Sequence, residues 1–208
     1  MLQIIPALLV AITVVIQCLA VQMSRYRLSR MNARPPHHGL ALMSGMLAAA
    51  AIILRLYQND SAVGVLFMTI MTGCMTLMTL TDAASCRLPR PFTIMYLISG
   101  SAFRLWQGDW LTGLCSAGFW FLLLLLFRQY TSYRRKTETI GLGDVFLIAG
   151  IAIWSPPGDI PWIVATAAGG ALLYLWCNRQ RRITRELPFG PFLCASQYAF
   201  TFLSRTVQ

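Results

Sequence analysis

Charge is scarce in this sequence, and negative charge scarcest. Of 208 residues only 12% are charged, with seven Asp and Glu against seventeen Lys and Arg. A soluble domain carries about a quarter charged residues, so this composition, 57% hydrophobic, excludes a water-soluble globule and implies a membrane protein. Long polar stretches are missing too. Apolar runs recur along the whole length, which predicts one helical membrane unit over residues 1–208 and no separate soluble domain. The chain also lacks any CxxC: Cys18, Cys74, Cys86, Cys115, Cys177 and Cys194 are scattered, most of them in apolar runs, so neither a zinc site nor a disulfide framework is indicated. His37 and His38 share a Pro-containing loop with no acid or Cys at ligand spacing and read as solvated residues; no metal or cofactor is expected. The net charge of +10 sits in short clusters between apolar spans, where membrane topology and anionic lipid account for it. The bilayer is therefore the expected partner, and nucleic acid is not.

The apolar runs define an all-α, polytopic bundle of about eight transmembrane helices. A first span covers 1–21, and the arginines after it, rather than before it, argue against a cleaved signal. A short loop at 22–38 contains Pro35-Pro36, and a core bundle follows over 39–208. Its spans are expected near 40–54, 62–80, 92–105, 111–127, 145–154, 162–177 and 189–203. The sixth is short for a span, so its helix begins inside the protein or the local bilayer is thin. Gly169-Gly170 in the seventh suits close helix packing.

Alternation then sorts the basic residues. One side receives Arg25, Arg27, Arg30 and Arg34, then Arg87 and Arg90, then Arg128, Arg134, Arg135 and Lys136, then Arg179, Arg181, Arg182 and Arg185; the other receives only Arg55, Arg104 and Arg205. The rich side is cytoplasmic by the positive-inside rule, which leaves the amino terminus periplasmic. Among the acids, Asp60, Asp109 and Asp159 fall in outer turns, and Glu138 and Glu186 lie among cytoplasmic basic residues, where ion pairing explains them. Only Asp82 and Asp144 abut apolar spans, 62 residues apart in sequence and both at cytoplasmic ends. An ionised carboxylate at the edge of hydrocarbon is costly and marks a functional site by default.

Two carboxylates brought together in a partly desolvated site cannot easily both ionise, so they share a proton. One then draws a proton from water while its partner donates to a scissile carbonyl, the arrangement of an aspartic protease. Gly141 and Gly143 would allow close backbone approach to substrate or to a neighbouring span. The same acids also suit cation or proton ligands in a small transporter, or helix caps in a non-enzymatic assembly scaffold.

The motifs weigh between these. Asp82 with Leu88-Pro89 resembles the first catalytic motif of the type IV prepilin peptidases, and Gly141-Leu142-Gly143-Asp144 resembles their second, GxGD. Pro188-Phe189-Gly190-Pro191 is similar to a segment these enzymes carry before the last span. The resemblance, over about 62–203, implies a membrane aspartic endopeptidase with Asp82 and Asp144 as catalytic pair. It would remove the basic leader from type IV prepilin or prepilin-like proteins at the cytoplasmic face of the bacterial inner membrane, in pilus assembly or protein secretion. The chain departs from the pattern at Arg90, where many members have an acid or amide, and at Phe146, where many have Lys. Many members also carry a cytoplasmic segment with paired CxxC motifs, linked to N-methylation of the product. Residues 22–38 hold no cysteine, so a short form without that segment is expected and methylation is left without support. Glu138 and Glu186 are the cytoplasmic acids left to meet a basic leader.

Overall fold

The computed structural model describes residues 4–30, 38–57, 61–86, 88–135, 141–177 and 187–203. Among these, eight α-helices and no strand are found: α1 (Ile4–Arg30), α2 (His38–Tyr57), α3 (Ala62–Ser85), α4 (Arg90–Gln107), α5 (Trp110–Arg135), α6 (Leu142–Trp154), α7 (Ile160–Cys177) and α8 (Gly190–Leu203). Four stretches, Leu8–Arg30, Ala62–Ser85, Trp110–Arg134 and Ile160–Cys177, are long and apolar enough to cross a bilayer. The chain is a multi-pass membrane protein.

Two helices form the centre. α3 packs against α1, α2, α4 and α8, and α6 against α4, α5, α7 and α8. α6 has 13 residues, of which Val145 and all of 147–154 are buried. At 1.5 Å per residue it spans about 20 Å, short of the roughly 30 Å hydrocarbon layer. A helix surrounded by protein need not match the lipid, so its burial suits its short length. By contrast α1, α5 and α7 turn Leu8, Val14, Phe119, Leu122, Trp162 and Leu172 outward, as lipid-facing helices do.

Because lipid offers no hydrophobic drive between helices, close packing and buried polar contacts hold them together. Thr13 and Thr69 hydroxyls meet at 3.2 Å, Gln17 Nε2 donates to Thr72 Oγ1 at 3.1 Å, and Tyr198 OH donates to the Thr72 carbonyl at 3.2 Å. The fully buried Tyr96 links three helices. Its hydroxyl donates to Gln197 Oε1 at 2.6 Å, and its carbonyl accepts from Trp154 Nε1 at 3.1 Å. Of the Gly169-Gly170 pair only Gly170 faces a neighbour: a Cβ there would lie 3.4 Å from Phe192, whereas Gly169 meets open space.

The first boundary differs from the sequence expectation of a span at 1–21 and a loop at 22–38. Residues 22–30 continue α1, and the loop residues 31–37 lie outside the described residues. No Gly or Pro interrupts 22–30, and Arg27 and Arg30 in the last turn complement the helix's negative end. Leu28 is buried and the Arg27 guanidinium lies 4.8 Å over the Phe92 ring, so this basic segment packs on the bundle. His37, Arg34, Asp60, Arg87, Lys136, Glu138, Glu186, Arg205 and the arginines at 179–185 also lie outside the described residues.

At the end of the bundle opposite the site, Arg104 of α4 closes the C-terminus of α6. Its Nε donates to the Ile153 carbonyl at 2.7 Å and Nη2 to that of Ser155 at 2.9 Å, while Nη1 meets Asp109 Oδ2 at 3.2 Å. These carbonyls are orphans that the helix itself cannot satisfy. Arg104→Met keeps the apolar stem and removes the donors. It is expected to cost about 1 kcal/mol, since nearby water replaces part of what is lost. The shift of the thermal midpoint in detergent reads this directly.

Candidate active site

Asp82 stands in the last turn of α3 and is 4% exposed. The span expected near 62–80 left it just outside the helix, but α3 continues to Ser85. The helix then ends on Cys86, whose left-handed conformation (φ 51°) lets its N–H donate to the Asp82 carbonyl at 2.7 Å. A left-handed non-glycine residue costs about 1 kcal/mol, and it turns the chain toward Leu88 and Pro89. Pro89 is the N-cap of α4 and its carbonyl accepts from Phe92 at 3.0 Å, so the Leu-Pro pair starts the next helix.

Asp144 lies in the first turn of α6, where a negative charge complements the helix's positive end. Gly141 is the N-cap, and its carbonyl accepts from Asp144 N at 3.1 Å. The Asp144 side chain folds back over Gly141: a Cβ on that glycine would lie 3.3 Å from Oδ2. Gly143 meets the first motif. A Cβ at 143 would stand 2.8 Å from Leu88 Cβ, closer than carbon atoms tolerate, so the second motif packs on the first because residue 143 has no side chain. The close approach at Gly143 is thus to the segment that joins α3 to α4.

The Pro188-Phe189-Gly190-Pro191 stretch opens α8. Phe189 accepts from Phe192 N at 3.1 Å and from Leu193 N at 3.2 Å, and Pro191 sits in the first turn, where its missing donor matters least. Gly190 N, one of the helix's orphan donors, gives its hydrogen to Asp82 Oδ2 at 2.8 Å. A Cβ on Gly190 would lie 2.8 Å from that oxygen. The stretch is thus a helix entry and a contact to the buried acid at once.

All three motifs therefore meet at one end of the bundle. Asp82, at the C-terminus of α3, and Asp144, at the N-terminus of α6, come close enough for their charges to influence each other. Cys194 is buried on α8, and sequence reasoning gave it no place near the site. It follows Gly190 by four residues, one helical turn, and that spacing was the available signal. The arrangement provides two carboxyls that can divide one proton between them beside a loop. Among the described residues no cluster of three or more His, Cys, Asp or Glu is placed to hold a metal.

A profile of the type IV leader peptidase family matches residues 69–176, which include both aspartates. The chain is 33% identical over 174 residues to a prepilin leader peptidase/N-methyltransferase of Burkholderia pseudomallei strain 1026b, covering 78% of this chain and 53% of that protein, and equally to its counterpart in strain K96243. It is also 33% identical over 75 residues to leader peptidase HopD of Escherichia coli, covering 33% of this chain and 48% of that protein. The chain thus spans about half the length of the curated relatives it matches. No solved structure matches it significantly. A match across just over half of the chain, carrying the aspartates that the fold brings together, makes this protein a member of the type IV leader peptidase family.

Proposed function

We propose that the chain is a membrane aspartic endopeptidase that cleaves the leader from type IV prepilin or prepilin-like proteins, with Asp82 and Asp144 as its catalytic pair and residues 1–208 as one membrane unit. The observation that carries this reading is that two acids 62 residues apart in sequence come to one end of the bundle, Asp82 held by the Gly190 N–H at 2.8 Å and Asp144 on a turn whose Gly143 packs against Leu88. In the reaction one carboxylate takes a proton from water as the water oxygen bonds to the peptide carbonyl carbon, and the other carboxyl gives its proton to the carbonyl oxygen. Collapse of the tetrahedral adduct breaks the C–N bond: the amine leaves with the proton taken from water, and one hydroxyl of the adduct returns a proton to the second carboxylate as the C=O bond re-forms, which restores the pair. Leu88, Pro89, Gly141 and Gly143 hold the two acids in register, and Pro188, Phe189, Gly190 and Pro191 cover Asp82.

The distribution of basic residues supports a cytoplasmic site in a bacterial inner membrane, with the amino terminus periplasmic. Against a transporter stands the position of the acids at helix ends, since transport sites lie near the bilayer midplane. Purified protein in liposomes, given a prepilin without added metal or nucleotide, is expected to make a single cut after the leader, read by mass spectrometry. Proton or cation flux with no cleavage would assign the acids to transport instead. In the same assay, transfer of labelled methyl from S-adenosylmethionine to the cleaved product would add an N-methyltransferase activity.

A further inference from the structure

The two aspartates are not equivalent in their surroundings. Asp82 Oδ2 accepts the Gly190 N–H at 2.8 Å, at the first residue of the 14-residue helix α8. A backbone donor favours the charged form of a carboxyl; helix ends do not separate the pair, since Asp144 also lies at a positive end, that of α6. The Asp144 side chain lies over Gly141 instead, its Oδ2 3.3 Å from where a Cβ on that glycine would stand. The titratable groups in electrostatic contact with Asp82 are Asp144 on α6 and the Cys194 thiol on α8.

From this asymmetry we infer that Gly190 divides the labour of the pair: its N–H fixes Asp82 as the carboxylate, the general base toward water, and leaves the shared proton on Asp144, the general acid toward the carbonyl oxygen. Gly190 acts as a positioning residue through Asp82. The absence of its side chain is required for the contact, because a Cβ would stand 2.8 Å from Oδ2 and 3.2 Å from Cγ of Asp82. The inference rests on the peptidase reading for the names of the roles, whereas the division of the proton is testable without substrate.

Two reagents separate the acids in the wild-type protein. A terminal epoxide is opened by a carboxylate: the oxygen bonds to carbon, the ring C–O bond breaks and the new alkoxide takes a proton from water. A diazoacetyl reagent instead takes the proton of a neutral carboxyl onto its carbon, loses dinitrogen and leaves an ester. Peptide mapping near neutral pH is expected to find the epoxide adduct on Asp82 and the diazo adduct on Asp144. Reversed adducts, both adducts on one residue, or no epoxide adduct at Asp82 would overturn the division of roles.

Gly190→Ala supplies the second arm. Displacing Oδ2 from the N–H is expected to slow epoxide labelling of Asp82 and to move the acid limb of the pH profile of kcat/KM upward by about one unit, roughly a tenfold loss below that limb. A general structural lesion would lower the rate at every pH and leave the limb in place, and that result, or an unchanged profile and labelling rate, would overturn the inference. Failure of wild-type protein to cut prepilin would strike the peptidase reading alone, because the adducts are mapped without substrate.

Discussion

Asp82→Asn and Asp144→Asn are each expected to lower kcat/KM for prepilin cleavage by about 10³-fold, the scale of a general acid or base in a positioned pair. Asn removes the proton traffic and little else. At position 82 the amide oxygen still accepts the Gly190 N–H, so the link between α3 and α8 survives. At position 144 the side chain lies in the first turn of α6, which keeps Gly141 as its N-cap. Both variants should therefore reach the membrane at wild-type levels and unfold within about 0.5 kcal/mol of wild type. The double variant is expected to be hardly worse than either single one, because the two groups act as a unit and their losses do not add. Processing of a co-expressed prepilin, with the abundance of each variant measured alongside, decides the matter. Normal cleavage by either variant would remove that residue from the chemistry and take the mechanism with it.

The residues that were legible in the sequence are those whose position alone is costly. Asp82 and Asp144 stood out because a carboxylate beside an apolar run needs a reason, and the structure places both at one end of the two central helices. The helices themselves follow from apolar run lengths, since in hydrocarbon a backbone without internal hydrogen bonds has no alternative partner. Boundaries were less legible. Residues 22–30 are polar enough to read as a loop, yet they extend α1 because no Gly or Pro stops it and Leu28 finds a buried place. Beyond the aspartate pair that the motifs implied, pairwise contacts between distant segments could not be read. The bond from Gly190 to Asp82 joins residues 108 positions apart, and the closeness of Gly143 to Leu88 depends on how α3 turns at Cys86. A glycine's sequence context says that space is needed; only the fold says which neighbour takes it.

Gly150→Ala tests how the packing of α6 supports the site at its head. By intrinsic propensity the change should stabilise a helix interior by up to about 1 kcal/mol. The fold reverses the sign. A Cβ at 150 would lie 2.5 Å from Tyr96 Cδ1 and 2.9 Å from Cε1. Tyr96 has little freedom to yield, because it is fully buried and tied by its hydroxyl to Gln197 and by its carbonyl to Trp154. Overpacking of this kind costs about 1–3 kcal/mol, so a net loss of about 2 kcal/mol is expected. α6 must move away from α4 to accept the methyl, and Asp144 moves with it relative to Leu88 and Asp82. Cleavage should fall by about 10²-fold, the scale of a small misplacement of reacting groups. Gly118→Ala on α5 is the matched control: nothing lies within 4 Å of the added methyl, and this variant should gain about 0.5 kcal/mol and cut at the wild-type rate. Thermal midpoints in detergent and initial cleavage rates for the two variants give the comparison. Equal stability changes at 150 and 118 would mean that α4 and α6 are not in the close contact on which the placement of Asp144 depends.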